Sequence, residues 1–302
     1  MDVSIIIVSW NTQNILRDCL RSVCKQTHDI NYEVIVVDNA SADSSVKMVK
    51  AEFPQVILVA NQENRGFAVA NNQGMKIAKG RYILLLNSDT IVLNGAIQKT
   101  VVFADQHPEA AVIGCKVLNP DRTLQPTCFM FPSILNLVLS STYLYKIFPK
   151  SQFFGRERMA WWDRRDTREV EVVTGCFMLV RKEAINQVGM MDESYFMYAE
   201  ETDWCYRFQK AGWKNCFYPN AQIIHLGGQS TKQVRIAMVI QLRRAILQFM
   251  KKNYGSFHYR VGCALILIFY IARIPFWLLV AIAPKARQRA LNMIKGYWQG
   301  SH

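Results

Sequence analysis

Residues 81–90 read RYILLLNSDT, and this stretch decides the fold. Tyr82 opens a run of apolar residues that extends to Leu86, the length of a buried parallel strand, and the run stops abruptly at Asn87-Ser88-Asp89. A carboxylate is therefore expected at the carboxyl edge of a sheet. Open α/β sheets bind ligands beyond the carboxyl ends of their strands, where an aspartate can hold a divalent metal against a phosphate. Asn, Ser and Asp are also ordinary turn residues, so a plain turn stands as the rival explanation.

The same pattern of strand and polar turn recurs around it. Residues 3–10 form a continuous apolar run closed by Asn11-Thr12, after which Ile15, Leu16, Cys19, Leu20, Val23 and Cys24 fall at helical spacing. Residues 33–37 read as a second strand ending in Asp38-Asn39-Ala40-Ser41, with a capped helix over 41–52 stopped near Pro54. A short third strand is expected at 56–59, and Asn64-Arg65-Gly66 leads into a helix ending near Gly80. A helix over 95–106 and a strand over 111–118 follow the central stretch. This alternation predicts an α/β chain whose sheet is doubly wound, mostly parallel and covered on both faces.

The middle is less regular. Residues 131–148 are apolar and aromatic without a clean period, and 156–168 are dense in both charges and include Trp161-Trp162. A surface loop is the expectation, with a mobile lid or a partner-facing insertion as alternatives. Strands are expected again at 170–173 and 176–180, then a short helix over 182–188. Residues 191–212, MDESYFMYAEETDWCYRFQKAG, carry the densest polar chemistry, with Trp204, Cys205, Phe208 and Ala211 at helical spacing. Glu200, Glu201 and Asp203 then occupy a first helical turn, where the helix dipole by itself favours acids. Adjacent helical residues point about 100° apart, so Glu200 and Glu201 can hardly share one role. A final strand over 222–226 brings His225 just ahead of two glycines.

Charge is distributed unevenly. The 302 residues carry a net charge of +13 and are 51% hydrophobic, enough for a sizeable core. Residues 204–302 hold 15 Lys or Arg and no acid, whereas 1–203 hold 21 basic and 23 acidic residues. A nearly neutral body with a basic tail points to an anionic surface, either nucleic acid or membrane headgroups. The tail is also apolar and lacks a recognition motif, which argues against nucleic acid. A long helix is expected over 232–253, and 261–284 are nearly all apolar apart from Arg273 and Pro275. That length could span a bilayer, but an arginine near the middle costs about 2.5–3.5 kcal/mol, proline breaks the helix, and both flanks are basic. Two short helices broken at Pro275 and lying in the cytoplasmic leaflet are preferred, with Lys251, Lys252, Arg260, Lys285, Arg287 and Arg289 on the headgroups. A true span and a buried pair at an oligomer interface are the competitors. The eight cysteines form no CxxC pair and mostly lie in apolar runs, as free thiols of a reducing compartment do. The opening VSIIIVSW lacks a basic leader and a cleavage site, so no secretory signal is expected and the catalytic part is expected to be cytoplasmic.

Taken in order, VSIIIVSWN, VIVVDNAS, NRGFAVANN, LLLNSD, TGCFMLVR, YAEETDWCYRFQKAGW and IIHLGGQS resemble the inverting family 2 glycosyltransferases of the GT-A fold, especially rhamnosyltransferase-like and galactofuranosyltransferase-like members. The match runs from about residue 3 to 231 and implies a catalytic domain over 1–231 and a membrane-association segment over 232–302. The resemblance implies that Ser9 and Asn11 line the nucleotide pocket and that Asp38 accepts hydrogen bonds from the base. It implies that Asn64, Arg65 and Gly66 close over the nucleotide with Arg65 facing the diphosphate, and that Thr174 and Gly175 lie beside the sugar and acceptor. Asn87-Ser88-Asp89 takes the place of the DxD motif, Asp89 and His225 would hold Mg²⁺ or Mn²⁺, and Glu201 would serve as general base. Asn87 replaces the first DxD acid, and Glu201 replaces the commoner Asp, which keeps Glu200 and Asp203 as alternatives. The implied reaction moves a sugar from a dTDP- or UDP-sugar, dTDP-rhamnose among the donors, to a lipid-linked or other glycan acceptor at the cytoplasmic membrane surface. No nucleic acid is expected and an oligomer is left open. The rival is a non-catalytic nucleotide-sugar or glycan-assembly binding module; a nucleotidyltransferase lacks a phosphate loop after the first strand.

Overall fold

The structure, a computed structural model, describes residues 1–148, 150–227 and 235–275, together with residues 278 and 282. The chain opens with β1 (Val3–Ser9), α1 (Gln13–Gln26), β2 (Tyr32–Asp38), α2 (Ser45–Glu52), β3 (Ile57–Ala60), α3 (Phe67–Ile77) and β4 (Tyr82–Asn87). There follow β5 (Thr90–Leu93), α4 (Ala96–Gln106), β6 (Ala110–Leu118), the short β7 (Leu124–Gln125) and β8 (Cys128–Phe129), α5 (Ile134–Thr142) and α6 (Leu144–Ile147). The second half holds β9 (Arg168–Glu169), β10 (Val172–Val173), β11 (Phe177–Arg181), α7 (Lys182–Val188), α8 (Glu200–Lys210), β12 (Lys214–His225), α9 (Arg235–Tyr254) and α10 (Ser256–Ile271).

Apolar runs without alternation become strands buried on both faces, and β1 and β4 are such strands, with Ile5, Ile6, Leu84 and Leu85 removed from solvent. They lie side by side in a sheet ordered β3-β2-β1-β4-β11-β6-β12-β5. The contacts β3-β2, β2-β1, β1-β4 and β6-β12 are parallel, as the alternation of strands and helices predicts. The sheet is mostly parallel as expected, with two antiparallel strands inserted at positions the sequence does not mark. β11 enters antiparallel between β4 and β6, and β5 pairs antiparallel with β12. A parallel neighbour needs a crossover that returns the chain to the same end of the sheet, and the long connection from β6 to β11 does not do this.

Local boundaries differ for identifiable reasons. The second helix starts at Ser45, because Ser41 is engaged by Asp38 through a backbone hydrogen bond of 2.8 Å and a hydroxyl bond of 2.6 Å. Gly80 lies beyond α3 and serves packing, since a Cβ there would sit 2.4 Å from the Ser4 nitrogen on β1. Of the expected surface loops, 131–148 instead forms α5 and α6, whereas 156–168 is an irregular loop with Arg158, Asp163, Arg165 and Asp166 exposed, pinned by two buried side chains. Trp162 and Arg164 are buried, the Trp162 ring meets Phe217 edge-on at 4.8 Å, and the Arg164 guanidinium donates to the carbonyls of Trp162 and Cys128. All eight cysteines are free, and six are buried.

Two compact units emerge. One comprises Met1–Phe131, Trp162–Phe196 and Glu200–Ser230, and contains the whole sheet. The other comprises Pro132–Trp161, Met197–Ala199 and Thr231–His302. Within the second, α10 packs on α9 and on α5. α10 ends at Ile271, ahead of Pro275, and Arg273 donates to the Ser141 carbonyl at 2.7 Å and the Phe269 carbonyl at 3.1 Å. No helix among the described residues is long and apolar enough to cross a membrane. The expected second short helix after Pro275, and the headgroup contacts of Lys285, Arg287 and Arg289, lie outside the described residues.

Candidate active site

Strand register brings the scattered polar turns to one edge. Ser9 pairs with Asp38, and Val8 with Asn87, so the carboxyl ends of β1, β2 and β4 are level. The Thr12 hydroxyl lies 3.1 Å from that of Ser9 and donates to that of Ser88 at 3.3 Å, joining the first and fourth strand ends. Asn11 is left-handed at φ 54°, donates its amide to the Ser41 hydroxyl and accepts from the Ala42 amide at 2.7 Å. Both Asp38 oxygens accept from Ser41, and a carboxylate so engaged keeps lone pairs for a further donor.

The 64–66 loop closes on the same edge. Asn64 Oδ1 accepts from the Gly66 amide at 3.0 Å, and the Gly66 carbonyl accepts from Asn39 Nδ2 at 3.1 Å. The Phe67 amide donates to the Phe196 carbonyl at 2.9 Å, tying this loop to the segment before α8. Arg65 is exposed, with its Nε 4.0 Å from Glu63, and is free to swing. Gly66 has φ +84°, and a Cβ would stand 2.3 Å from the Phe196 carbonyl oxygen. Left-handed strain and this collision act together, so Gly66→Ala is expected to cost about 2–3 kcal/mol of stability, measurable as a lower urea midpoint. An unchanged midpoint would show that the loop is not held against Phe196.

The partner of Asp89 comes from the far half of the chain. β5, unforeseen because it is four residues long and directly follows the Asn87-Ser88-Asp89 turn, pairs with β12 in a register that opposes Thr90 to His225. The Leu226 amide donates to the Asp89 main-chain carbonyl at 2.9 Å. His225 Nε2 thereby comes to 3.1 Å from Asp89 Oδ1 and 3.3 Å from Asn87 Nδ2. The other ring nitrogen, Nδ1, lies 2.6 Å from Gln125 Oε1. Gln125 is itself oriented, because its amide nitrogen donates to Asn119 Oδ1 at 2.8 Å and to the His225 carbonyl at 3.2 Å. With both amide protons spent there, its oxygen faces Nδ1, which donates to it, and Nε2 is the ring nitrogen turned toward Asp89. The sequence marks Gln125 by nothing except a position shortly after a turn; its partner is 100 residues away.

Across the site stands α8. Tyr198 and Ala199 enter it with φ of 70° and 64°, so two consecutive non-glycine residues take the left-handed conformation ahead of the acids. The three candidate acids separate by surroundings. Asp203 is fully buried and accepts from Arg207 Nε at 2.8 Å, while the rest of that guanidinium donates to the carbonyls of Val188 and Met190, a structural clamp. Glu200 is buried, and burial, with the neighbouring Glu201 adding to it, holds its carboxyl well above the usual range. Glu201 is half-buried and also raised, chiefly by desolvation. Oε2 of each has no hydrogen-bond partner among the described residues. Burial pushes the Cys176 thiol up to about 11. The Cys176 carbonyl also accepts from the Asn87 amide, and Thr174 Oγ1 lies 3.3 Å from the Cys176 sulfur. Gly175 lies against the Phe67 ring, where a Cβ would come within 3.2 Å.

Fold comparison gives the class. The structure superposes with a TM-score of 0.58 on the mannosyltransferase PcManGT from Pyrobaculum calidifontis, solved with GDP-Man and Mn²⁺, over 99% of this chain and 86% of that one at 13% identity. GalNAc-T7, solved with UDP, GalNAc and Mn²⁺, gives 0.56 over 74% of this chain and 44% of that one at 17% identity. The architecture is therefore a mixed α/β fold of GT-A type, and the chain is a glycosyltransferase. It belongs to glycosyl transferase family 2, whose sequence profile matches residues 4–189. Among relatives, the N-acetylglucosaminyl-diphospho-decaprenol L-rhamnosyltransferase of Mycobacterium tuberculosis is 28% identical over 212 residues, covering 66% of this chain and 67% of that protein. The minor teichoic acid biosynthesis protein GgaB of Bacillus subtilis is 33% identical over 110 residues, 35% of this chain and 12% of that one.

Proposed function

We propose that this chain is a metal-dependent inverting glycosyltransferase that moves a sugar from a dTDP- or UDP-sugar to a lipid-linked glycan acceptor at the cytoplasmic face of a membrane, in cell-surface polysaccharide assembly. The observation that carries the proposal is the pairing of Asp89 with His225 at the carboxyl edge that also presents Ser9 and Asp38. The rhamnosyltransferase relative, named for a diphospho-decaprenol acceptor, supports the lipid-linked class. The unit that holds the sheet is assigned the chemistry, and the unit built from 132–161, 197–199 and 231–302 the membrane contact.

The residues fit a divalent cation. A carboxylate oxygen and an imidazole nitrogen converge at 3.1 Å, with the imidazole ring oriented from behind by Gln125. Mg²⁺ and Mn²⁺ complete their shells with water and substrate phosphates, so two protein ligands can serve them. Asp89 and His225 would hold such an ion, which would supply positive charge against the diphosphate. Asn87, in place of an acid, offers an amide to a ribose hydroxyl or to His225.

The remaining roles fall to the chain's own groups. Asp38 accepts from the base, Ser9 and Asn11 line the nucleotide, and Arg65 swings toward the diphosphate. Glu201 takes the proton of the acceptor hydroxyl as its oxygen bonds to the anomeric carbon from the face opposite the departing diphosphate. One bond forms and one breaks, so the anomeric configuration inverts without a covalent enzyme intermediate.

The experiment is a panel of dTDP-, UDP- and GDP-sugars offered with polyprenyl-diphosphate N-acetylglucosamine and Mg²⁺ or Mn²⁺, with nucleoside diphosphate release as readout. Turnover of one donor that stops with chelator is expected; no turnover of any donor on lipid-linked acceptors sinks the proposal. A separate test addresses the metal. Gln125→Leu frees the Nδ1 side of His225 and is expected to weaken Mn²⁺ binding about 10- to 100-fold, read from the spin-resonance signal of free Mn²⁺. Unaltered affinity would remove Gln125 from the site.

A further inference from the structure

The second unit carries an apolar, basic surface that the chemistry does not use. Its residues include 16 Lys or Arg and one acid, Glu157. Glu157 is partly buried and lies within electrostatic reach of Arg158 and Arg243, so it adds little negative field at the surface. Most of the exposed large apolar side chains also lie here. On α5, α6 and the residue that follows they are Leu135, Val138, Ile147 and Phe148, and on α10 they are Phe257 at its start and Leu267, Ile268 and Ile271 in its C-terminal half. Ile147 is 68% exposed and Ile268 61%, far beyond what scattered surface residues require.

The two sets are joined. α10 packs on α5, and Arg273, just past the end of α10, donates to the Ser141 carbonyl at 2.7 Å. Its guanidinium lies 3.4 Å from the centre of the Phe269 ring and 5.1 Å from that of Tyr143. An arginine that is an obstacle for a helix crossing a bilayer thus ties the C-terminal end of α10 to the C-terminal end of α5. Two hydroxyls at that end are satisfied within their own helix. Ser141 Oγ donates to the Leu137 carbonyl at 2.6 Å and Thr142 Oγ1 to the Leu139 carbonyl at 2.7 Å. Hydroxyls that bond back to their own helix leave few unsatisfied groups to face a low-dielectric medium. Exposed Lys146 and Lys150 flank the apolar residues on one side, and exposed Lys251, Lys252 and Arg260 stand on the neighbouring helices.

We propose that α5, α6 and the C-terminal half of α10 form one membrane-contact face, whose occupant is the boundary between headgroups and acyl chains of an anionic bilayer. The insertion at 132–148 supplies half of that face, so the basic tail is not the only anchor. This rests on the membrane placement in the proposed function and names the surface responsible for it. Apolar side chains among cations match such a boundary, whereas a nucleic acid would leave the apolar ones without a partner.

Vesicle flotation with the full chain tests it, using phosphatidylcholine vesicles with and without phosphatidylglycerol and containing neither donor nor acceptor. Binding is expected only with phosphatidylglycerol and should weaken with salt. Ile147→Asp with Phe148→Asp should lower the bound-to-free ratio about tenfold or more, with the circular dichroism spectrum and melting temperature of the wild type retained, because both side chains are exposed. Ile268→Asp with Ile271→Asp should do the same. The face is refuted if the 147/148 variant floats like the wild type, if the wild type binds neither vesicle, or if these substitutions instead split a dimer in solution. Since no sugar substrate is present, this result stands apart from the turnover assay, and either can fail without the other.

Discussion

Glu201→Gln is expected to lower kcat by about 10²- to 10⁴-fold while the donor still binds, because the amide keeps the shape and loses the proton acceptor. Calorimetric titration with the donor and single-turnover rates would separate the two effects. The contrast is Glu200→Gln. Burial raises the Glu200 carboxyl and so favours its protonated form, which an amide resembles, and turnover should survive. The sign for stability follows from the raised folded-state value. The protonated acid is accommodated at low pH, and that stability is lost as pH rises through the raised pKa, whereas glutamine never ionises. The melting temperature of Glu200→Gln relative to wild type should therefore climb from acid toward alkaline pH. Glu201 must be deprotonated to act, and desolvation raises it above 4.5 also, so the acid limb of kcat/KM should lie above the ordinary glutamate value. If Glu200→Gln is the inactive variant and Glu201→Gln the active one, the assignment of the base is reversed.

Asp89→Ala is expected to lower kcat/KM by about 10²- to 10³-fold and to abolish the response to added Mn²⁺. The fold should tolerate it, because β12 is held to this turn through the Asp89 main-chain carbonyl and the β5 register and not through the carboxylate. His225→Ala should show the same loss of metal response with a smaller effect on rate, since Asp89 alone still carries the charge. Full activity of Asp89→Ala in the presence of chelator would remove the metal from the mechanism.

Much of the site was legible. The residues at the ends of β1, β2 and β4, namely Ser9, Asp38 and Asn87, follow from apolar runs that end in polar turns, and their level placement follows from parallel pairing. The 64–66 loop was legible through a glycine ahead of a helix, and its φ of +84° gives the physical need for that glycine. Less could be read where burial decides. Glu200, Glu201 and Asp203 look alike as acids in a first helical turn, and only their surroundings separate a clamp on Arg207, a buried carboxyl and a half-buried one.

The sequence by itself determined which segments are buried strands, where they end, and that an acid stands at the end of the fourth, because apolar runs and side-chain period are local properties. It also determined the family through the order of its motifs. Tertiary structure alone decided which strands are neighbours: that β11 runs against β4 and β6, that the four residues of β5 pair with the end of β12, and that Gln125 reaches His225. The physical reason is that a strand's pattern fixes which faces it buries but not which edge it meets. Pairing is a long-range contact, and it turned Asp89 from the end of a turn into half of a site.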